Sequence, residues 1–513
     1  MNESKKIDWY LILILLIGAF VRFYLLDIKP PHHDEGVNGW FAEQIASTGF
    51  YHYDPSNYHG PLHFYILYIF KLLFGRNLYA LRAPSIIFSL LSIYWVTLFS
   101  RFFSRKLCLI AALAIAISPG CVFYSRYAIH ETGFVFFNIL TLWGVIGLLY
   151  KGTLRYLIAT CLGITLMILT KETYVIHLAC LFFTFLFVLI TKNISGLALA
   201  KQSWNRRDLV IVLFLCCTLI AYFYSDAFSD FKALSNLYLT FTPWAKTGTE
   251  VGGHAKSCFY WLKLSVKYES IALAGLIFSF AYIFKSQKLI KAISIYGVLI
   301  FLVYSIIPYK TPWCIISLLW PFYFVFGNFF TDCLQSRWRN EIVLMSVLIF
   351  ICSLVSCRQL NFINYVNKNE RYVYVQTFPD VNNVSQPLLQ LAKENPANYN
   401  LQGAVLHSSE WPLPWILGDF KRILYYKSLI DASTYNVDFL FIESKYIKEV
   451  EKELNGNYFT KVIKIRDAQG FSKAYFSYPL FKSVFPGKYP NFTPHNMRHR
   501  GHPFYRGFLR PKR

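Results

Sequence analysis

Acidic residues are scarce in this chain: 28 Asp and Glu stand against 51 Lys and Arg in 513 residues, and charged residues of either sign make up only 15%. With 55% hydrophobic residues gathered in repeated apolar blocks, so little charge excludes a single soluble core and points to a polytopic membrane protein. Cysteine is absent from residues 358–513, so that region is not stapled by disulfides; the eleven cysteines before it lie in or near apolar blocks and read as small buried thiols. No nucleotide-binding glycine loop is present, which counts against an ATP-driven transporter, and there is no internal repeat. No small-residue cleavage site follows the first apolar run, which therefore reads as an uncleaved span. A formal charge of +23 invites a nucleic-acid reading, but the basic residues sit in short loops between apolar blocks, where they set topology.

Eleven spanning helices are predicted, at 7–27, 83–100, 107–125, 133–150, 156–170, 174–191, 209–225, 270–284, 292–307, 314–332 and 341–357. The segment 61–74 is apolar but short and carries Lys71, and it is assigned to the membrane surface. Five loops then face the cytoplasm with Arg101, Arg105, Lys106, Lys151, Arg155, Lys192, Lys201, Arg206, Arg207, Lys285, Lys288, Lys291, Arg337 and Arg339. The short outward loops after residue 100 hold only Arg126, Lys171 and Lys310, as the positive-inside rule requires.

On this topology the ionisable residues at span ends gather on one face. Asp34, Glu35, Arg126, Glu131, Lys171, Glu172, Asp226, Asp230, Lys310 and the long loop 226–269 all point away from the cytoplasm. Charge near membrane depth is costly unless paired or wetted, so a polar cavity is expected there. The fold class is thus mainly α, a polytopic helical bundle over 1–357. An extracytoplasmic α/β domain occupies 358–480 and a basic tail 481–513, which reads as mobile and held by anionic lipid or glycan. Strands are predicted at 372–378, 402–407, 420–426, 437–442, 459–465 and 473–478, with helices near 385–394 and 445–454. The stretch Ser408 to Trp415 follows a strand end and is read as a Pro-rich turn packing two aromatics, with acceptor or membrane contact as the alternative.

The richest stretch for chemistry is Lys29 to His63, a loop with five of the chain's twelve histidines and the adjacent Asp34-Glu35 pair. An acceptor hydroxyl attacks poorly without a base; Asp34 is the candidate base, with Glu35 orienting it or holding a cation. Ser125 to Thr132 supplies Arg126, suited to phosphate, and Glu131, a second carboxylate. Lys171 and Glu172 are neighbours in a very short loop and must have separate partners. Lys310, between Pro308 and Pro312 and followed by Trp313, is either a phosphate clamp or a snorkelling anchor. In the long outer loop, Gly248, Gly252 and Gly253 would permit a flap, and Trp244 and Trp261 could stack on sugar rings.

One apolar helix, then His32 to Glu35, Tyr53-Asp54-Pro55, Tyr58-His59-Gly60-Pro61, Leu81-Arg82-Ala83-Pro84-Ser85, Ser125-Arg126-Tyr127, Lys171-Glu172 and Lys310-Thr311-Pro312-Trp313 resembles the GT-C superfamily of membrane glycosyltransferases. This group includes protein O-mannosyltransferases and the aminoarabinose transferase of lipid A, and the likeness is greatest to a bacterial and archaeal branch associated with lipid-linked sugar flipping. The resemblance implies a polyprenyl-phosphate sugar donor, catalysis by Asp34, Glu35 and Glu131, and a donor-phosphate contact at His59; the charge developing on the leaving phosphate needs cations, for which Arg126, Lys171 and Lys310 are the candidates. It further implies substrate contacts from His33, Tyr58, Glu172 and Trp313. A divalent metal, Mg or Mn, is an option at Asp34 and Glu131, since some members need one and others do not. His59 stands where the lipid A branch has Lys, which weakens the phosphate contact there. The expected partners are the donor and membrane lipids, not nucleic acid, and the expected site is the outer face of a bacterial plasma membrane. The expected reaction moves a sugar to a hydroxyl of a protein, lipid or glycan with inversion. The alternatives are a flippase component or a non-catalytic scaffold of surface-glycan assembly.

Overall fold

The computed structural model describes residues 8–57, 59–191, 201–249, 254–286, 289–429, 435–486 and 492–496. It divides into two compact units: Met1–Ile28 with Asn38–Tyr374, and Lys29–Val37 with Val375–Arg513.

The first unit is a helical bundle. Helices occupy all eleven expected ranges, but only six are long and apolar enough to cross a bilayer: Leu78–Arg101, His130–Lys151, Tyr174–Thr191, Arg206–Tyr224, Pro312–Cys333 and Arg339–Ile363. A seventh crossing is available if Arg105–Ile117 and Pro119–Ser125, bent by 57°, count as one. The other four, Trp9–Phe23, Leu154–Ile168, Ser270–Lys285 and Ile290–Ile306, have at most 17 residues. At 1.5 Å per residue these reach about 26 Å at best, short of a core about 30 Å thick. Eleven full crossings is therefore corrected to six or seven, by length and composition. The helix Leu62–Phe74 is shorter still, and its Lys71 pairs with Glu43.

The bend has an identifiable cause. Pro119 starts a new helix, and the buried Glu269 carboxylate accepts hydrogen bonds from Ser118 Oγ at 2.9 Å, the Gly120 amide at 2.7 Å and Tyr372 at 3.0 Å. His130–Lys151 and Pro312–Cys333 are the central helices, each 83% buried over its apolar window, whereas Arg206–Tyr224 is 11% buried. Exposed Val210, Phe214, Leu215 and Leu344 give the periphery an apolar surface suited to lipid.

The second unit is α/β. Its strands are β1 (Gln402–Leu406), β2 (Arg422–Tyr426), β3 (Phe439–Glu443), β4 (Tyr458–Ile463), β5 (Ser472–Ser477) and β6 (Thr493–His495), in the order β2-β1-β3-β5-β4-β6. β1 pairs in parallel with β2 and β3, and the remaining pairs are antiparallel. Five of the six expected strands form, and the helices are Asp380–Glu394 and Ile447–Glu453. The expected strand at 372–378 does not form: Tyr372 is spent on Glu269, and only the Phe378 amide reaches another strand's end, at the Ile465 carbonyl. Nor does the ordered chain stop at 481. Phe481, Phe485 and Phe492 pack with Phe459 and Phe476, and β6 pairs with β4, so aromatic burial overrides the basic composition there. The rest of the expected tail lies outside the described residues.

Candidate active site

In the helical unit the acids and bases at span ends find one another. His130–Lys151 begins at the membrane edge and carries Glu131 in its first turn, while Leu154–Ile168 and Tyr174–Thr191 are joined by the short loop holding Lys171 and Glu172. Lys171 Nζ pairs with Glu131 Oε1 and lies 3.6 Å from Cys314 Sγ. Glu172 turns the other way and receives His59 Nδ1 at 3.0 Å, so the two neighbours do have separate partners. Burial alone would push the Lys171 ammonium down, but the Cys314 thiol and the Glu131 and Glu172 carboxylates outweigh it, holding its pKa well above the ordinary value.

His59 reaches this loop by backbone pairing. The Gly60 amide donates to Thr170 O at 3.1 Å and the Leu62 amide to Leu169 O at 3.0 Å, and His59 bridges to Lys171. A Cβ on Gly60 would lie 2.3 Å from Leu169 O, so only glycine allows the approach. The His130 ring packs between His59 and His63, tilted against both, with centroids 4.8 and 4.4 Å away. Below this layer a polar chain enters the bundle: Tyr304 OH lies 3.3 Å from His177 Nε2, His177 Nδ1 3.1 Å from Tyr296 OH, and Tyr296 and Trp320 donate to Asn138 Oδ1 at 3.0 Å.

The Asp34-Glu35 pair lies in the second unit, not in a plain loop but in the first turn of the helix His33–Thr48. Glu35 Oε2 accepts the His32 amide at 2.9 Å, and His32 Nδ1 accepts the Asp34 amide at 3.1 Å. Glu35 thus satisfies amides that a helix start leaves open, and its buried carboxylate fixes the turn. Asp34 stays half-exposed, with Oδ1 2.7 Å from His33 Nδ1, while His33 Nε2 is 3.3 Å from Ser409 Oγ. A carboxylate on Nδ1 selects the tautomer with the proton there, leaving Nε2 able to accept from the serine. Ser409 sits just past β1, and its carbonyl accepts from Gln469 Nε2 at 2.6 Å and Arg466 Nη2 at 3.1 Å. Burial pushes the Arg466 guanidinium down, opposed by Asp34, Glu443 and Glu410. Gly36 fits under Pro412, whose Cα would be 2.8 Å from an added Cβ, so the Ser408 to Trp415 turn packs on the acidic turn.

Two expected phosphate ligands are otherwise engaged. Arg126 is buried with Nη1 on the carbonyls of Val21 at 3.1 Å, Arg22 at 3.2 Å and Tyr24 at 2.6 Å, and Nη2 on Leu25 O at 2.6 Å. Nη1 and Nη2 thus satisfy carbonyls at the open end of Trp9–Phe23, while the buried Nε has no hydrogen-bond partner among the described residues. Lys310 Nζ turns onto Ile307 O and lies 3.4 Å from Lys256 O, and burial pushes its pKa down. Trp313 packs on Tyr374 with centroids 5.8 Å apart. Tyr58 lies outside the described residues. The two candidate metal ligands fall in different units, and Glu131 is held by an ammonium. Among the described residues no group of three or more His, Cys, Asp or Glu is placed to hold a metal, so no step is derived through one.

Residues 58–228, which contain Glu131, Lys171 and Glu172, match the family model for dolichyl-phosphate-mannose-protein mannosyltransferase. ArnT from Cupriavidus metallidurans bound to undecaprenyl phosphate superposes with a TM-score of 0.63 at 13% identity, over 92% of this chain and 98% of that one. The chain shares the fold of this membrane protein. The apo form of the same ArnT gives a TM-score of 0.60 at 14% identity, over 91% of this chain and 97% of that one. The apo oligosaccharyltransferase of Archaeoglobus fulgidus gives 0.57 at 13%, over 94% and 78%. No curated protein matches the chain. Sequence alone assigns no role to Arg466, and His130, His63 and Ser409 enter it only as members of longer stretches. His130 was readable, since it adjoins Glu131 where a span begins; Arg466 carries no local signal, because a side-chain hydrogen bond to the Ser409 carbonyl, distant in sequence, is what places it.

Proposed function

We propose that this chain is a glycosyltransferase that moves a sugar from a polyprenyl-phosphate donor to a hydroxyl of a protein, lipid or glycan acceptor on the extracytoplasmic face, by a single displacement that inverts the anomeric carbon. The observation that carries the reading is the buried Lys171-Glu131 pair inside the mannosyltransferase-matched region. An ammonium has three donors; Glu131 and Cys314 take two, leaving one for a donor oxygen. As the bond from the sugar to the phosphate breaks, negative charge grows on the leaving phosphate, and a fixed cation in a water-poor site stabilises it. Asp34 is the base for the acceptor hydroxyl, with Glu35 fixing the helix turn that aims it. Arg126 and Lys310 are left out of the donor site, being tied to backbone carbonyls.

The extracytoplasmic assignment is supported by the basic loops at the far ends of these helices. That ArnT was captured with undecaprenyl phosphate, and an archaeal oligosaccharyltransferase with a dolichol-phosphate, supports the donor class. The test is transfer from a radiolabelled polyprenyl-phosphate sugar in membranes. Asp34→Asn at wild-type abundance is expected to lose nearly all transfer, and unchanged transfer rejects the base.

A further inference from the structure

At the end of the bundle remote from Lys171 the structure holds a polar cavity of about 430 Å³ that the transfer reaction does not use. Arg101, Lys151 and Ser104 line it together with Asn328, Thr331 and Asp332. Asp332 is engaged by the Tyr282 hydroxyl at 2.9 Å and the Asn328 amide at 2.8 Å. Among the described residues Arg101 and Lys151 make no hydrogen bond or ion pair, whereas the nearby Arg105 is paired with Asp8. Leu289 is shared between this cavity and a purely apolar groove formed by His130–Lys151, Tyr174–Thr191 and Ile290–Ile306, lined by Ile146, Leu149, Phe185, Val188 and Ile293. The polar atoms along the groove are satisfied elsewhere: Thr184 Oγ1 bonds Cys180 O at 2.7 Å and Tyr296 OH bonds Asn138.

We propose that this cavity and groove form a binding site for an anionic phospholipid of the bilayer, its phosphate between Arg101 and Lys151 and part of one acyl chain in the narrow groove of about 50 Å³. The charge matches, since two unpaired cations face a cavity whose one acid is occupied. The order also matches, because polar cavity and apolar groove meet at Leu289 as headgroup and chain do in a lipid. Basic pockets between transmembrane helices take such headgroups. The occupant is not the sugar donor at the transfer site: Lys151 and Glu131 are at opposite ends of one helix, about 30 Å apart at 1.5 Å per residue.

The full chain in phosphatidylcholine nanodiscs is titrated with phosphatidylglycerol, and retained lipid is counted by native mass spectrometry. Wild type is expected to keep one phosphatidylglycerol per chain with at least tenfold preference over phosphatidylcholine. The preference should fall to unity in Arg101→Gln/Lys151→Gln and survive in the charge-matched control Arg337→Gln/Arg339→Gln. Ala292→Phe, which fills the groove without touching the cations, should lower retention at least threefold. Equal retention in wild type and Arg101→Gln/Lys151→Gln overturns the site. So does a thermal shift with inorganic phosphate equal to that with the lipid, which makes it an ion site without a chain groove.

Discussion

Lys171 and Glu131, forty residues apart in sequence, meet as a buried ion pair where two helices of the bundle begin. Neither residue could be placed at membrane depth alone, since an isolated buried charge is strongly unfavourable. The pair satisfies burial and, on the proposed function, also holds a cation for the donor, two jobs that substitution can separate.

Breaking the pair from one side should destabilise the fold. Lys171→Met or Glu131→Gln leaves a buried partner unpaired, at a cost of about 3–5 kcal/mol, whereas the double variant should recover most of that loss. Transfer behaves differently. Lys171→Met and the double variant should both fall roughly 10²–10³-fold, the scale for losing one charge-stabilising group. Thermal unfolding in detergent and transfer assays on the same preparations separate the two effects. If the double variant regains transfer along with stability, Lys171 does not contact the donor.

Gly60 makes a narrower claim. Gly60→Ala puts a methyl group into the Leu169 carbonyl, so the His59 strand must withdraw and the His59-Glu172 bond is lost. Transfer should drop at least tenfold and the unfolding midpoint should fall by several degrees. Gly248→Ala is the control: nothing lies within 4 Å of its added carbon, and both readouts should stay at wild type.

Arg126 tests how far sequence alone could be read. An arginine at the outer end of a span, a few residues from a glutamate, looks like a phosphate ligand, yet its Nη1 and Nη2 are engaged by the carbonyls at the end of Trp9–Phe23. Lysine cannot supply that fork. Arg126→Lys should lower the unfolding midpoint while the donor KM stays within about twofold of wild type; a KM rise of tenfold or more with unchanged stability returns Arg126 to the donor site.

The same case shows which features were legible. Glu131, Lys171, Glu172 and His59 could be found because charge at the edge of an apolar run needs a partner, and few partners exist. Helical ranges were legible from apolar length, though not which helices stop short, since Trp9–Phe23 ends where a distant guanidinium caps it. The helix His33–Thr48 was hidden because its start is a reciprocal contact between Glu35 and the His32 amide inside a run rich in turn residues. The strand β6 was hidden by charge: eight basic residues after 480 outweighed three phenylalanines that turn out to be buried or packed on the sheet's aromatic cluster.

His407 gives the second unit a pH dependence whose sign can be worked out. It follows β1, is buried, and its pKa is pushed down to about 4 by burial, with Arg466 and Lys445 adding to that push and Glu443 and the Gln469 amide opposing it. Unfolded, the same imidazole titrates near 6.5, so between about 6.5 and 4 the unfolded unit binds a proton that the folded one refuses. Stability from this group is therefore complete above about pH 6.5 and declines as pH falls toward 4, by up to roughly 3 kcal/mol if no other group compensates. Hydrogen exchange of peptides covering β1 and β3 in the full chain, followed from pH 7 to 4.5 with intrinsic rates corrected, should show protection weakening across that window. His407→Gln lowers protection at pH 7 but removes that part of the slope. A slope as steep in His407→Gln as in wild type assigns the acid sensitivity to other groups, and identical flat profiles mean that the imidazole charges without opening the fold.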